Sequence, residues 1–148
     1  MKRLALLMVV FALSFSCKEP LVRESFVKAC NRENGAYVFD MDLSDTLASY
    51  SLSFFTRIDC PESRFRELSD ICLEVSLESP SGTTYSEIVY IPKTSFSDTE
   101  YFARDCVVPY RVGFRPSDYG IWKMSVSVGG GMDVQGFRGL GLRIEKYR

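Results

Sequence analysis

The sequence predicts an all-β protein, an antiparallel β-sandwich of about seven strands, with a partly open β-barrel as the alternative. Three observations lead there. Apolar and polar residues alternate with period two in one segment after another from Ala36 to the C-terminus, which is the pattern of a strand with one buried and one wet face. Gly, Pro, Ser and Asp separate those segments and supply turn chemistry. Aromatic residues make up 14% of the 148 residues, with eleven Phe and eight Tyr, and such residues favour strands over helices.

The elements follow in order. Tyr50, Leu52 and Phe54 alternate with Ser51 and Ser53. Ile71, Leu73, Val75 and Leu77 alternate with Cys72, Glu74, Ser76 and Glu78, the cleanest strand in the chain, and Pro80-Ser81-Gly82 turns the chain after it. A strand from Tyr85 to Ile91 stops at Pro92, and Thr94 to Asp105 reads as polar and irregular, with Phe96, Tyr101 and Phe102 as packing anchors. Val108, Tyr110, Val112 and Phe114 alternate again; Pro109 inside that run calls for an edge strand or a bulge. After a loop from Arg115 to Gly120, Trp122, Met124, Val126 and Val128 alternate with Lys123, Ser125 and Ser127 until the glycine triplet at 129–131. Leu140, Leu142 and Ile144 close the series.

The first 16 residues read as a secretory signal: Lys2 and Arg3, then an uncharged apolar run from Leu4 to Phe15, then Ser16. That run is shorter than the roughly 20 apolar residues a spanning helix needs. Cys17 follows directly, and a small residue before cysteine resembles a bacterial lipobox, in which the cysteine is diacylated and becomes the anchored N-terminus. An ordinary cleaved signal with Cys17 as a bystander is the other reading. The expected organisation is a signal peptide over 1–16, a lipid-anchored tether over 17–34 and a sandwich domain over 35–148. Within the tether, Val22, Phe26 and Val27 suit either a short amphipathic turn or a first edge strand.

Composition excludes several function classes. Removing residues 1–16 takes away two basic residues and no acid, moving the net charge from −1 to −3. A mildly acidic chain lacks the basic footprint of a nucleic-acid binder. With no histidine, Ser-His-Asp and Cys-His catalysis and His-ligated zinc are out of reach in their usual forms. No G-x-S-x-G and no CxxC occurs, and the expectation is a non-enzymatic protein with no catalytic constellation, metal or cofactor. Cys30, Cys60, Cys72 and Cys106 are candidate disulfide partners in an oxidising compartment, or buried free thiols. Asp40, Asp42 and Asp45 lack the remaining ligands of a calcium loop and read as solvated strand-end charges. Glu74 and Glu78, about 13 Å apart along one strand, are too far apart for a glycosidase pair. Gly136, Gly139 and Gly141 are followed by a strand and not a helix, so they fail as a dinucleotide loop, and Gly139 and Gly141 mark a tight entry into the last strand or close sheet packing. Trp122, Tyr119 and Tyr110 are candidate binding residues for a sugar or peptide, although the alternation places Trp122 with the core.

Two regions, YRVGFRPSDYGIWKMSVSV followed by GMDVQGFRGLGLRIEK, and YSLSFFTR followed by LSDICLEVSLESPSG, resemble the GldH-type gliding-motility lipoproteins of the Bacteroidota. Gly120, Trp122, Met132, Gly139, Gly141, Leu142, Arg143, Ile144 and Glu145 occupy the matching places. The resemblance implies an outer-membrane lipoprotein, held through its N-terminal lipid on the periplasmic face or the cell surface. Its partners would be envelope proteins of the gliding and secretion machinery.

Overall fold

The computed structural model describes residues 21–131 and 134–148. In chain order its strands are β1 (Leu21–Lys28), β2 (Tyr37–Asp42), β3 (Ser49–Asp59), β4 (Ile71–Glu78), β5 (Thr84–Ile91), β6 (Phe96–Glu100), β7 (Ala103–Phe114), β8 (Ile121–Val128) and β9 (Phe137–Tyr147). A six-residue helix, α1 (Glu62–Glu67), lies between β3 and β4. A five-stranded sheet ordered β1-β9-β3-β7-β6 faces a four-stranded sheet ordered β2-β8-β4-β5. All pairings are antiparallel. The two sheets do not close on each other, so the fold is a sandwich and not a barrel.

The alternation places the core. Ile71, Leu73 and Val75 on β4, with Trp122, Met124 and Val126 on β8, meet Tyr50, Leu52, Phe54 and Ile58 on β3 and Leu140, Leu142 and Ile144 on β9. Their polar neighbours Glu74, Glu78 and Lys123 face solvent. Among the described residues no buried side-chain polar atom lacks a hydrogen-bond partner. The buried Thr56 donates its hydroxyl to the Gly139 carbonyl at 2.6 Å, which removes the cost of an unpaired buried hydroxyl.

Three segments depart from the sequence reading. Leu21–Lys28 takes the edge-strand alternative and pairs along its whole length with β9, so the sandwich begins at Leu21 and not at residue 35. Most of its side chains are exposed; its place is set by the backbone ladder, which leaves a weak hydrophobic pattern. The stretch read as irregular contains β6 and the start of β7, a hairpin turning at Tyr101-Phe102. Its five β6 residues carry no alternation, and Asp98 is held instead by an ion pair to Arg104 at 2.9 Å. Third, Val112 is exposed although it falls in the apolar series. The β7 register against β3 slips twice, between Tyr50 and Ser53, next to Pro109, which cannot donate to the ladder. Ser51 Oγ accepts the Gly113 amide at 3.0 Å within the bulge.

The last strand is an interior member of its sheet, between β1 and β3. Its inner face carries Leu140 and Leu142, both fully buried. Its outer face is covered as well, because Phe55 lies across Gly141 and Phe26 stacks on Phe55 at 5.9 Å. A Cβ on Gly141 would fall 2.2 Å from the Phe55 ring. One on Gly139, at φ +150°, would fall 2.2 Å from the Val27 carbonyl oxygen.

Leu73→Ala should cost about 2–5 kcal/mol in urea unfolding, from lost burial plus a cavity, whereas Glu74→Ala should stay within about 0.5 kcal/mol. Equal costs would contradict the face assignment. Gly141→Ala should destabilise by about 1–3 kcal/mol through overpacking. Phe55→Ala in the same chain should recover part of that loss, and strict additivity of the two changes would rule out the contact as its cause.

Candidate functional site

The sandwich opens along one side. β5 is the edge of the four-stranded sheet, and β6 pairs only with Ala103–Cys106 of β7. Among the described residues β7 has no neighbour on that side from Val107 onward, so two strand edges unpaired within the described residues flank the gap between the sheets. The gap is a groove of about 420 Å³ whose lining includes Leu52, Leu77, Tyr85, Tyr110, Phe114 and Trp122. Trp122, 7% exposed, forms part of its floor. Its indole N–H donates to the Asp118 carbonyl at 2.7 Å, and Tyr85, 49% exposed, stacks on it at 6.1 Å. Tyr110 packs on Phe54 at 5.0 Å from the opposite sheet.

A charged clamp crosses the groove. Glu87 follows Tyr85 on the inward side of β5, opposite Val75, where a carboxylate is costly unless paired. Arg111 Nη2 reaches both carboxylate oxygens, at 2.7 and 2.8 Å, and the Tyr110 hydroxyl donates to the same carboxylate. Burial first, and then the hydrogen bond to Glu87, push the Tyr110 phenol well above its ordinary range. The hydrogen bond to Glu87 also raises the Arg111 guanidinium, which lies 5.2 Å from the Tyr110 ring. The result is an aromatic slot with an ion pair over it. Such a surface is suited to stacking against a ring or an apolar side chain and to hydrogen bonding beside it.

Of the binding residues expected from sequence, the structure brings Trp122 and Tyr110 to one groove and leaves Tyr119 exposed outside its lining. Sequence reasoning missed Tyr85, Glu87, Arg111 and Phe114. A signal existed for Glu87: it falls in phase with Tyr85, Val89 and Ile91, and a charge in an inward series asks for a partner.

The remaining candidates lie elsewhere. Cys30, Cys60, Cys72 and Cys106 are free thiols, with Cys60 and Cys106 buried. Burial pushes the Cys106 thiol up to about 11. Asp42 pairs with Arg23 at 3.8 Å, and Asp45 with Lys146 and Arg148, each at 2.7 Å; Asp40 is exposed on the outer face opposite Lys123. Among the described residues no three potential metal ligands cluster. Glu74 and Glu78 are solvent-exposed. Cys17 and Met132 lie outside the described residues.

No family model and no curated protein matches the chain. Among solved structures it is similar to a chain in the structure of infectious bursal disease virus Gx strain, at 12% identity and a TM-score of 0.25 over 87% of this chain and 37% of that one. It is also similar to a chain of the T13 particle of the same virus, at 13% identity and a TM-score of 0.20, over 87% of this chain and 36% of that one. The chain thus spans little more than a third of these neighbours.

Tyr85→Ala should uncover the single tryptophan, shifting Trp122 emission to the red and increasing its quenching by acrylamide. Tyr119→Ala should change neither. A Tyr85→Ala emission spectrum identical to the parent's would mean that Tyr85 does not cover Trp122 in solution.

Proposed function

We propose that this chain is a non-enzymatic outer-membrane lipoprotein, an accessory or structural component of a gliding-motility or secretion-linked envelope assembly. The observation that carries the reading is the N-terminal sequence, a basic start and an apolar run ending in Ser16-Cys17. The GldH-type resemblance supports it from a second direction, since its quoted segments make up β3, β4, β8 and β9, strands that supply much of the core. Diacylated Cys17 would supply the two acyl chains that stable anchoring requires.

A second reading, a surface binding module for glycan or protein, draws support from the groove, where half-exposed Tyr85 lies on Trp122 beside the Glu87–Arg111 pair. Titration with oligosaccharides, read through Trp122 emission, separates it from the first.

Cys17→Ser should move the protein from the membrane fraction to the soluble periplasmic fraction and abolish incorporation of labelled palmitate. Unchanged fractionation and labelling would overturn the lipoprotein reading.

A further inference from the structure

The strands divide the sandwich into two ends. One end holds Leu21, the β2–β3 loop (43–48), the β4–β5 turn (79–83), the β7–β8 loop (115–120) and the C-terminus. The loops there are tied together: the Leu43 amide donates to the Gly120 carbonyl at 2.9 Å, and the Ser81 amide to the Asp118 carboxylate at 3.0 Å. The opposite end holds α1, the glycine triplet and the Tyr101-Phe102 hairpin tip. β7 alone, twelve residues long, separates the ends by on the order of 35 Å.

Only residues 18–20 stand between Cys17 and Leu21. Four peptide steps reach at most about 14 Å, far less than the length of the sandwich. Both ends expose large apolar side chains, Tyr101 and Phe102 at the far tip among them, so the short link from Cys17 to Leu21 decides which end meets the bilayer, and the Leu21 end is suited to it. Leu47 is 79% exposed at a loop tip, and Ile121, Tyr119 and Tyr147 are exposed at the same end. Tyrosine beside aliphatic side chains suits the headgroup region, where one end of the ring is apolar and the other wet. The acids of the β2–β3 connection do not oppose contact: Asp42 is paired with Arg23 and Asp45 with Lys146 and Arg148.

We infer that the protein stands end-on against its membrane, with the β2–β3 and β7–β8 loops and the first residue of β8, led by Leu47, Tyr119 and Ile121, seated in the lipid headgroups and the Tyr101-Phe102 tip directed away. This inference rests on acylation of Cys17. It carries a consequence for the groove, whose lining includes Leu43 and Arg115–Ser117 from the same loops: its mouth lies next to the bilayer, and the surface offered to distant envelope partners is the opposite end.

The test uses the full-length acylated protein in phosphatidylethanolamine–phosphatidylglycerol vesicles whose acyl chains carry bromine, a short-range quencher of tryptophan. Leu47→Trp, Lys28→Trp and Tyr101→Trp each add a reporter at an exposed position, with Trp122 kept as a common background so that its core contact is undisturbed. The added emission of Leu47→Trp should shift to the blue and be quenched; that of Lys28→Trp and Tyr101→Trp should stay red and unquenched. Equal quenching of Lys28→Trp and Leu47→Trp would mean the sandwich lies along its β1 edge, and strongest quenching of Tyr101→Trp would mean the reverse orientation. No quenching of Leu47→Trp in protein that mass spectrometry shows to be acylated would mean the domain stands clear of the bilayer. Each of these outcomes overturns the end-on geometry and leaves the lipoprotein reading intact. Protein without acylation at Cys17 overturns the reading and the geometry together, and the mass distinguishes that case from the others.

Discussion

The sandwich depends on the insertion of β9 between β1 and β3. An interior strand must be accommodated on both faces and along both edges, and β9 meets each demand with a different residue type. Leu140, Leu142 and Ile144 fill the space between the sheets. Gly139 lets the Val27 backbone approach, and Gly141 opens a slot on the outer face that Phe55 covers, with Phe26 stacked beyond it. The three aligned residues Phe26, Gly141 and Phe55 join the first, last and third strands in one row. That row binds the two ends of the described chain to its middle, and such non-local pairing has to be completed before most of the burial is gained.

β7 carries the two most demanding polar arrangements, one near each end. Arg104, only 5% exposed, sits under α1. Its guanidinium donates to the Cys60 carbonyl at 3.3 Å, pairs with Asp98 and Glu62, and lies 4.2 Å from the Phe65 ring. A guanidinium has five donors in a fixed fork, and here it ties helix, hairpin and β3 terminus to one point. At the other end Arg111, on the bulged part of the same strand, meets Glu87 across the groove. Arg104 is a buried charge, so loss of its partners would be costly, whereas the half-exposed Arg111–Glu87 pair contributes little to stability. The first set holds helix, hairpin and strand terminus together at one end of the sandwich, and the second joins β7 to β5 across its open side.

That open side is where the fold offers a binding surface. The short β6 ends before the slot is reached, and the register slip after Pro109 falls in the part of β7 that lines it. The aromatic lining comes from both sheets, with Tyr85 and Trp122 from one and Tyr110 and Phe114 from the other, so the width of the groove follows from how far apart the sheets are held.

Much of this architecture was legible in the residues themselves. Period-two alternation marked β3, β4, β8 and β9 with the correct inward faces, because a half-buried strand exposes every second residue to a different solvent. Pro109 called for an edge strand or a bulge for an equally local reason, the absence of its amide hydrogen, and it lies where β7 has both an unpaired side and a register slip. What the sequence could not disclose were the elements held by backbone ladders or single ion pairs. β1 is mostly exposed and β6 is polar, so neither writes a hydrophobic period. Val112 belongs to an alternating series and still faces water, because the register slip beside it acts only once β7 is laid against β3. Trp122 and Tyr110 were recognised as aromatic candidates, but their meeting, the addition of Tyr85 and Phe114, and the exclusion of Tyr119 were decided by which strand edges face each other across the sandwich. The sequence by itself determined the class of fold and which faces are buried, since those depend on the solvent preference of each side chain in turn. Only the tertiary structure decided the strand order, the groove and the end from which the chain emerges, because those depend on pairings between residues far apart in the chain.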